Sequence, residues 1–201
     1  MPLQLYLLPT CDAGIAQLVE RNLAKVEVAS SNLVSRSILR SLFMKELFPY
    51  HGEKILVTQE MCDHNGHMNT GSYTRCFDGC WGQMYIDMGF NDEYFNAGYS
   101  SFTLEENLKY FKEFLEGDYI YPSFRIVGLN RKCIHILGCL LDSENNISTV
   151  YETVLGHIDM NLRKIIEMDD LFFKSITSLK YSHDNLGKIP FDLRLTVKES
   201  V

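Results

Sequence analysis

The sequence lacks the features that mark several classes of protein. None of its hydrophobic runs is as long as a membrane span requires. The formal net charge is −7, so there is no basic excess of the kind that nucleic-acid-binding proteins carry. Its six cysteines form no CxxC pair or regular framework, which is typical of reduced thiols in the cytoplasm. We therefore expect neither a membrane nor a nucleic-acid partner, and no disulfide scaffold.

What remains is a chain of 201 residues with 46% hydrophobic content, which suits one globular domain with a substantial core. Residues 1–43 differ from the rest. The run GIAQLVE at residues 14–20 and the run SSNL at residues 30–33 are what the D-arm and T-arm of a tRNA gene would encode. We therefore expect a reading frame extended through a tRNA gene, with Met44 as the true start. A natural helical extension is the alternative.

Beyond Met44 the hydrophobic pattern predicts one strand over residues 53–61 and one long helix over residues 72–88. Gly79 and Gly82 each lower the stability of this helix by about 1 kcal/mol relative to alanine. A close approach of the helix to a sheet would explain why glycine is present there. Four strand-like runs then follow, then a helix over 169–181 and a tail over 187–201. The runs are residues 101–114, 118–127, 132–141 and 148–160.

The order of these elements predicts an α+β fold, in which an antiparallel meander wraps around one long helix. The run 133–141 is almost entirely apolar and should be the central strand. Between the first strand and the helix lies a polar elbow, residues 62–73, with the sequence CDHNGHMNTGSY. Asn69 and Ser72 are natural N-caps there, so unpaired N–H groups of the helix should point out of the elbow.

The elbow also carries a family resemblance. The run DHNGHMN at residues 63–69, followed by Tyr73, resembles the signature of hotdog-fold acyl-CoA thioesterases of the 4-hydroxybenzoyl-CoA thioesterase-like superfamily, and is most similar to the betainyl-CoA thioesterase type. The resemblance implies a hotdog domain over residues 44–168, followed by a C-terminal helix and tail over 169–201. Further matches lie at Thr103-Leu104-Glu105, Tyr110, Glu113, Lys132, His135 and His157-Ile158-Asp159.

The resemblance implies a cytoplasmic enzyme that hydrolyses a small or polar acyl-CoA to the free acid and CoA. Such hydrolysis needs a base or nucleophile and a polarised carbonyl group. Asp63 would be that nucleophile or base, and His67 would orient Asp63 or bind the substrate. Asn69 would cap the helix first and contact the substrate second, and Glu105 would face the active-site cleft. The alternatives are an aspartate that only caps a turn, a solvated histidine and an exposed strand carboxylate.

Arg131 and Lys132, at a predicted turn, could meet the phosphates of CoA. No cofactor is expected beyond the CoA of the substrate. No metal is expected either, because Cys62, His64 and the cysteines of the helix fit no common zinc spacing. The resemblance further implies a homodimer or homotetramer with its active sites at the subunit junction.

Three positions depart from the family pattern. Met61 stands where many relatives have a second acidic residue, Asn107 where the subfamily often has histidine, and Cys133 where arginine is usual. These departures leave the acyl group open. They also leave two alternatives, namely a hotdog module that binds acyl-CoA without cleaving it and a hotdog 3-hydroxyacyl dehydratase.

Overall fold

The computed structural model of the chain describes residues 44–198, and the predictions for residues 1–43 lie outside this range. Two short strands come first, and three short helices follow them. Four long strands, a further short strand and a final helix complete the order. The elements are β1 Tyr50–His51, β2 Ile55–Leu56, α1 Thr70–Asp78, α2 Gly82–Asp87, α3 Asp92–Asn96, β3 Tyr99–Tyr110, β4 Tyr119–Leu129, β5 Cys133–Leu141, β6 Ile147–Asp159, β7 Lys164–Ile165 and α4 Asp170–Asp184.

The strands form one antiparallel sheet in the order β1-β4-β5-β6-β3, with β2 also on β4 and β7 also on β6. The predicted meander is correct for β4, β5 and β6 and wrong for β3. That strand pairs with β6, from Tyr99 opposite Asp159 to Tyr110 opposite Thr149. The reason is that β4 pairs with β1 and β2 on one edge and with β5 on the other, so it has no edge left for β3.

Helix α1 packs on the inner face of this sheet and confirms the α+β prediction. Phe77 is fully buried, and its ring stacks on Tyr151 of β6 at 4.6 Å. Gly138 of β5 lies directly beneath Phe77, since a Cβ atom at this glycine would be only 3.0 Å from the phenyl ring. The central position predicted for β5 is also confirmed, because its residues after Cys133 are all buried.

The single long helix predicted over residues 72–88 is wrong, because the chain breaks into α1 and α2. Gly79 ends α1, and the indole Nε1 of Trp81 donates a hydrogen bond to the carbonyl oxygen of Asp78 at 2.8 Å. A Cβ atom at Gly82 would meet nothing within 4 Å, so no close approach to the sheet requires this glycine. The two glycines therefore mark a break in the helix rather than a tight helix–sheet contact.

The strand predicted over residues 53–61 is also wrong for most of its length. Only Ile55–Leu56 is a strand, and Gln59–Met61 forms a 3₁₀ turn. The N–H groups of Met61 and Cys62 bond back to the carbonyl oxygens of Thr58 and Gln59, which turns the chain into the elbow. The predicted C-terminal helix is confirmed, and Asp169 caps it by accepting hydrogen bonds from two backbone N–H groups.

The C-terminal tail packs against the outer face of the sheet. The carboxylate of Glu152 on β6 is buried and accepts hydrogen bonds from the backbone N–H groups of Arg194 and Leu195. The apolar residues of this outer layer include Met44, Leu47, Phe48, Leu137, Cys139, Leu141, Val150, Ile189, Phe191 and Leu193.

Within residues 44–198, no helix has both the length and the apolar character of a membrane span.

Candidate active site

The elbow between the 3₁₀ turn and α1 is a tight turn held by backbone hydrogen bonds. The N–H of Gly66 donates to the carbonyl oxygen of Asp63, and the N–H of Asp63 donates to that of His67, both at 3.0 Å. Gly66 has a φ of 82°, in the left-handed region that glycine adopts without strain. The N–H of Asn65 donates to Oδ1 of Asp63 at 2.8 Å. The turn therefore fixes the Asp63 carboxylate through one oxygen.

The other oxygen of Asp63 faces a histidine. Oδ2 lies 3.5 Å from Nε2 of His67, and Nδ1 of His67 lies 2.9 Å from Oε2 of Glu113. The hydrogen bond from Asn65 lowers the pKa of Asp63, so this carboxylate is ionised at neutral pH. The bond to Glu113 raises the pKa of His67 above its ordinary value. Asp63, His67 and Glu113 thus form a line of carboxylate, imidazole and carboxylate that is open to solvent.

Asn69 is the N-cap of α1, as predicted. Its Oδ1 accepts the N–H of Ser72 at 3.0 Å, and its Nδ2 donates to the carbonyl oxygen of Met61 at 2.8 Å. Helix α1 begins at the next residue, Thr70, so the N–H groups of its first turn lie beside the elbow. Both ends of the Asn69 amide are engaged in fixing this junction.

A cleft of about 560 Å³ opens beside His67 and Glu113. Tyr73, Tyr110 and Phe111 form the aromatic part of its walls. The rings of Tyr73 and Tyr110 meet edge to face at 5.0 Å, and the hydroxyl oxygen of Tyr73 accepts the N–H of Phe114. This size and lining suit a small organic group. The remaining lining residues are Met68, Thr70 and Lys112.

Three residues predicted for the site lie elsewhere in the chain. Glu105 is exposed on β3, opposite Val154 of β6. Arg131 and Lys132 follow the far end of β4, roughly 30 Å along the strand from the elbow at about 3.3 Å per residue. Arg131 donates to Asp170 at 2.6 Å, and Nζ of Lys132 lies 3.7 Å from Glu167. Within one chain these residues do not join Asp63, and the role predicted for them with CoA stays a prediction.

Glu113 is the site residue whose role the sequence did not reveal. It belonged to the family resemblance, but nothing in its local pattern pointed to a histidine partner. It lies in the segment between β3 and β4, which folds back against the elbow. The N–H of Met68 donates to the carbonyl oxygen of Phe114 at 2.8 Å, and His67 forms a β-bridge with Leu115.

Comparison with known proteins agrees with the thioesterase resemblance and with the fold. The chain is 22% identical over 128 residues to an L-carnitine dehydrogenase/betainyl-CoA thioesterase of Agrobacterium fabrum, which covers 64% of this chain and 26% of that protein. It is 28% identical over 107 residues to a betainyl-CoA thioesterase of Pseudomonas aeruginosa, which covers 52% of this chain and 67% of that protein. The chain thus spans about a quarter of the length of the first of these relatives.

Solved structures share the fold. A hypothetical protein from Staphylococcus aureus in complex with CoA superposes with a TM-score of 0.63 at 22% identity, over 74% of this chain and 95% of that chain. A DHNA-CoA thioesterase from the same organism gives a TM-score of 0.59 at 17% identity, over 69% of this chain and 96% of that chain. The family model of the thioesterase-like superfamily matches residues 57–175, more than half of the chain. The chain therefore belongs to the thioesterase-like superfamily and has the hotdog fold.

Proposed function

We propose that residues 44–168 hydrolyse the thioester of a small or polar acyl-CoA, in the cytoplasm, to the free acid and CoA. The observation that carries the proposal is the ionised carboxylate of Asp63, held in the elbow before α1 and facing His67, which lines the cleft. The betainyl-CoA thioesterases among the relatives support it, as does the CoA held by the related structure.

Asp63 would act in one of two ways. As a nucleophile, its free oxygen adds to the thioester carbonyl, the C–S bond breaks, and the CoA thiolate leaves an acyl–aspartyl anhydride that water then hydrolyses. As a base, it takes a proton from a water molecule whose oxygen adds to the same carbon. In both routes the carbonyl oxygen becomes negative, and N–H groups of the elbow and the helix start would stabilise it. Neither route needs a metal or a further cofactor.

The cleft supports a short acyl chain with a polar or cationic end. Tyr110 and Phe111 present partly exposed rings, and ring faces attract cations. Glu113 adds a carboxylate at the same place. Of the nearby cations, Lys112 is paired with Asp142 at 2.8 Å, and Nζ of Lys109 lies 5.0 Å from the centre of the Phe111 ring. The Tyr110 ring and the Glu113 carboxylate are therefore the groups of the cleft that favour a polar or cationic end.

We further propose that the protein works as a homodimer or a larger even-numbered assembly. In the described part of the chain, β3 pairs only with β6, which leaves one edge of a strand of 12 residues without a partner. An open edge of this length favours pairing with a second copy. Glu105 lies near the middle of β3, so such pairing would place it at the subunit junction.

The test is the Asp63→Asn variant, which keeps the size of the side chain and its contact with the N–H of Asn65. We expect normal folding and a loss of turnover by a factor of about 10²–10⁴, because a positioned base or nucleophile is removed. Release of free thiol from a panel of acyl-CoAs measures this loss. Asp92→Asn, at an exposed aspartate on α3, is the control and should keep full turnover.

Three outcomes would contradict the proposal. Full thiol release by Asp63→Asn would remove Asp63 from the chemistry. Tight binding of acyl-CoAs without thiol release by the unaltered protein would indicate the binding module. Interconversion of 3-hydroxyacyl-CoA and enoyl-CoA, again without thiol release, would indicate the dehydratase.

A further inference from the structure

The segment that carries Glu113 is fixed on both sides. Before it, the N–H of Phe111 donates to the carbonyl oxygen of Ser148 at 2.8 Å. After it, Phe114 is buried in the core, and the N–H of Leu115 donates to the Asp118 carboxylate at 2.9 Å. The backbone of Glu113 is therefore held against the elbow by the fold rather than by its own side chain.

The side chain of Glu113 holds a proton on one nitrogen of His67. An ionised carboxylate can only accept hydrogen bonds, so the contact of 2.9 Å between Oε2 and Nδ1 requires a proton on Nδ1. The other nitrogen, Nε2, lies 3.5 Å from Oδ2 of Asp63 and can donate a proton toward it only when the ring is protonated on both nitrogens. Each nitrogen of the ring has a carboxylate partner, and the two partners come from different segments of the chain.

We propose that Glu113 is a positioning residue for thioester hydrolysis, which holds the His67 ring in its protonated form and orientation so that its Nε2–H faces the reacting oxygen of Asp63. This inference rests on the function proposed above. Glu113 itself touches no reacting atom in this scheme. It acts through His67, as an outer carboxylate that orients a histidine ligand does in metal sites.

The arrangement predicts how the site responds to pH. The groups that act on His67 are Asp63 of the elbow and Glu113 of the facing segment, and both favour its protonated form. The phenols of Tyr73 and Tyr110 in the cleft stay neutral, because burial raises the pKa of each. As the pH rises through the pKa of His67, the ring loses its proton and Asp63 loses a cationic neighbour. Without the charge of Glu113 this loss should occur at lower pH.

The experiment compares Glu113→Gln with the unaltered protein. Glutamine keeps an oxygen acceptor and the size of the side chain but removes the charge. We expect NMR titration of the His67 ring to give a lower pKa in the variant. We also expect kcat to fall by up to about 10²-fold, with a smaller change in KM, because misplacement of a reacting group costs rate. The alkaline limb of the pH–rate profile should move to lower pH.

Two controls separate positioning from a structural effect. Glu116→Gln alters an exposed carboxylate in the same segment and should leave the His67 titration and kcat unchanged. In a His67→Ala background, Glu113→Gln should lower kcat no further, because the two residues act through one contact.

An unchanged His67 titration in Glu113→Gln would overturn the proposal without reference to activity. A shifted titration with unchanged kcat and pH profile would also overturn it, since the contact would then be structural only. Failure of the proposed function would give a different result, namely full thiol release by Asp63→Asn, so the two failures can be told apart.

Discussion

At the scale of single residues, Asn69 joins the elbow to the helix. Its oxygen accepts the N–H of Ser72 inside α1, and its nitrogen donates to Met61 on the other side of the elbow. The position of the helix start relative to Asp63 therefore depends on both ends of one amide. Aspartate at this position would keep the acceptor and lose the donor, so it is not an equivalent replacement.

Asn69→Ala should lower the free energy of unfolding by about 1 kcal/mol, because an N-cap is lost. It should also lower the turnover, because the N–H groups of the first helical turn are no longer held beside Asp63. Asn91→Ala is the matched control, since Asn91 caps α3 by accepting the N–H of Tyr94 at 3.0 Å. Urea unfolding should show a loss of stability for both variants, larger for Asn69→Ala because its bond to the Met61 carbonyl is also lost, and thiol release should fall only for Asn69→Ala. Equal turnover in the two variants would contradict this assignment.

The sequence could predict Asn69 as the N-cap of α1 because capping chemistry is local, whereas the catalytic roles of Asp63 and His67 are implied by the family resemblance and stay predictions. It could not predict the contact between His67 and Glu113, which joins residues 46 positions apart in the chain. That contact depends on how the segment after β3 folds back on the elbow. The Asp63 carboxylate has one oxygen that caps the turn and a second oxygen that faces His67, so capping does not exclude a catalytic role.

At the scale of elements, the helix and the sheet approach each other closely at Gly138. A Cβ atom there would lie 3.0 Å from the ring of Phe77 and 3.2 Å from that of Phe124. Both rings are fully buried in the core and have no free space to move into. The position of α1, and with it the elbow, therefore depends on the absence of a side chain on β5.

Gly138→Ala should destabilise the protein by about 1–3 kcal/mol, the usual cost of an extra methyl group in a packed core. Gly82→Ala offers the opposite case, since its added methyl group meets nothing and helix α2 gains a better helix former. It should stabilise the protein by about 0.4–1 kcal/mol. Thermal unfolding of the two variants beside the unaltered protein measures both changes. A Gly138→Ala variant as stable as the unaltered protein would show that α1 can move away from β5.

The four long strands could be predicted to within a few residues, because their apolar runs end at clear turn signals. The helix break could not, because Met84 and Met88 continue the spacing of Tyr73 and Phe77 and are buried like them. A hydrophobic pattern indicates which residues are buried, and it does not change at the break because the buried residues on both sides of it keep the same spacing. The pairing of β3 with β6 could not be predicted either, because it depends on contacts between residues far apart in the sequence.

At the scale of the whole molecule, the open edge of β3 is where we expect a second subunit to bind and to contribute to the active site. Antiparallel pairing of β3 with a second copy would bring the partner's strand past the elbow end of this one. Glu105, which lies away from Asp63 within one chain, would then approach the junction. The Asp63 of one subunit and the Glu105 of the other would serve the same site.

A complementation experiment tests this arrangement. We expect Glu105→Gln and Asp63→Asn each to lower turnover, and sedimentation to show at least a dimer for both. Subunits of the two variants, mixed and allowed to exchange, should regain part of the turnover, because one site of the mixed dimer has both unaltered residues. Mixtures that stay as inactive as their components would show that the sites are not shared, and a stable, active monomer would contradict the dimer itself.

The turn at Gly66 also bears on the chemical lifetime of the protein. Asparagine followed by glycine, as at Asn65 and Gly66, readily deamidates when the glycine nitrogen attacks the asparagine side chain. Here that nitrogen donates its proton to the carbonyl oxygen of Asp63, and the N–H of Asn65 is bound by the Asp63 carboxylate. Attack requires this turn to open first. We therefore expect the hydrogen bonds that hold the Asp63 carboxylate to slow deamidation on storage, and any deamidation that does occur to alter the residue whose N–H binds that carboxylate.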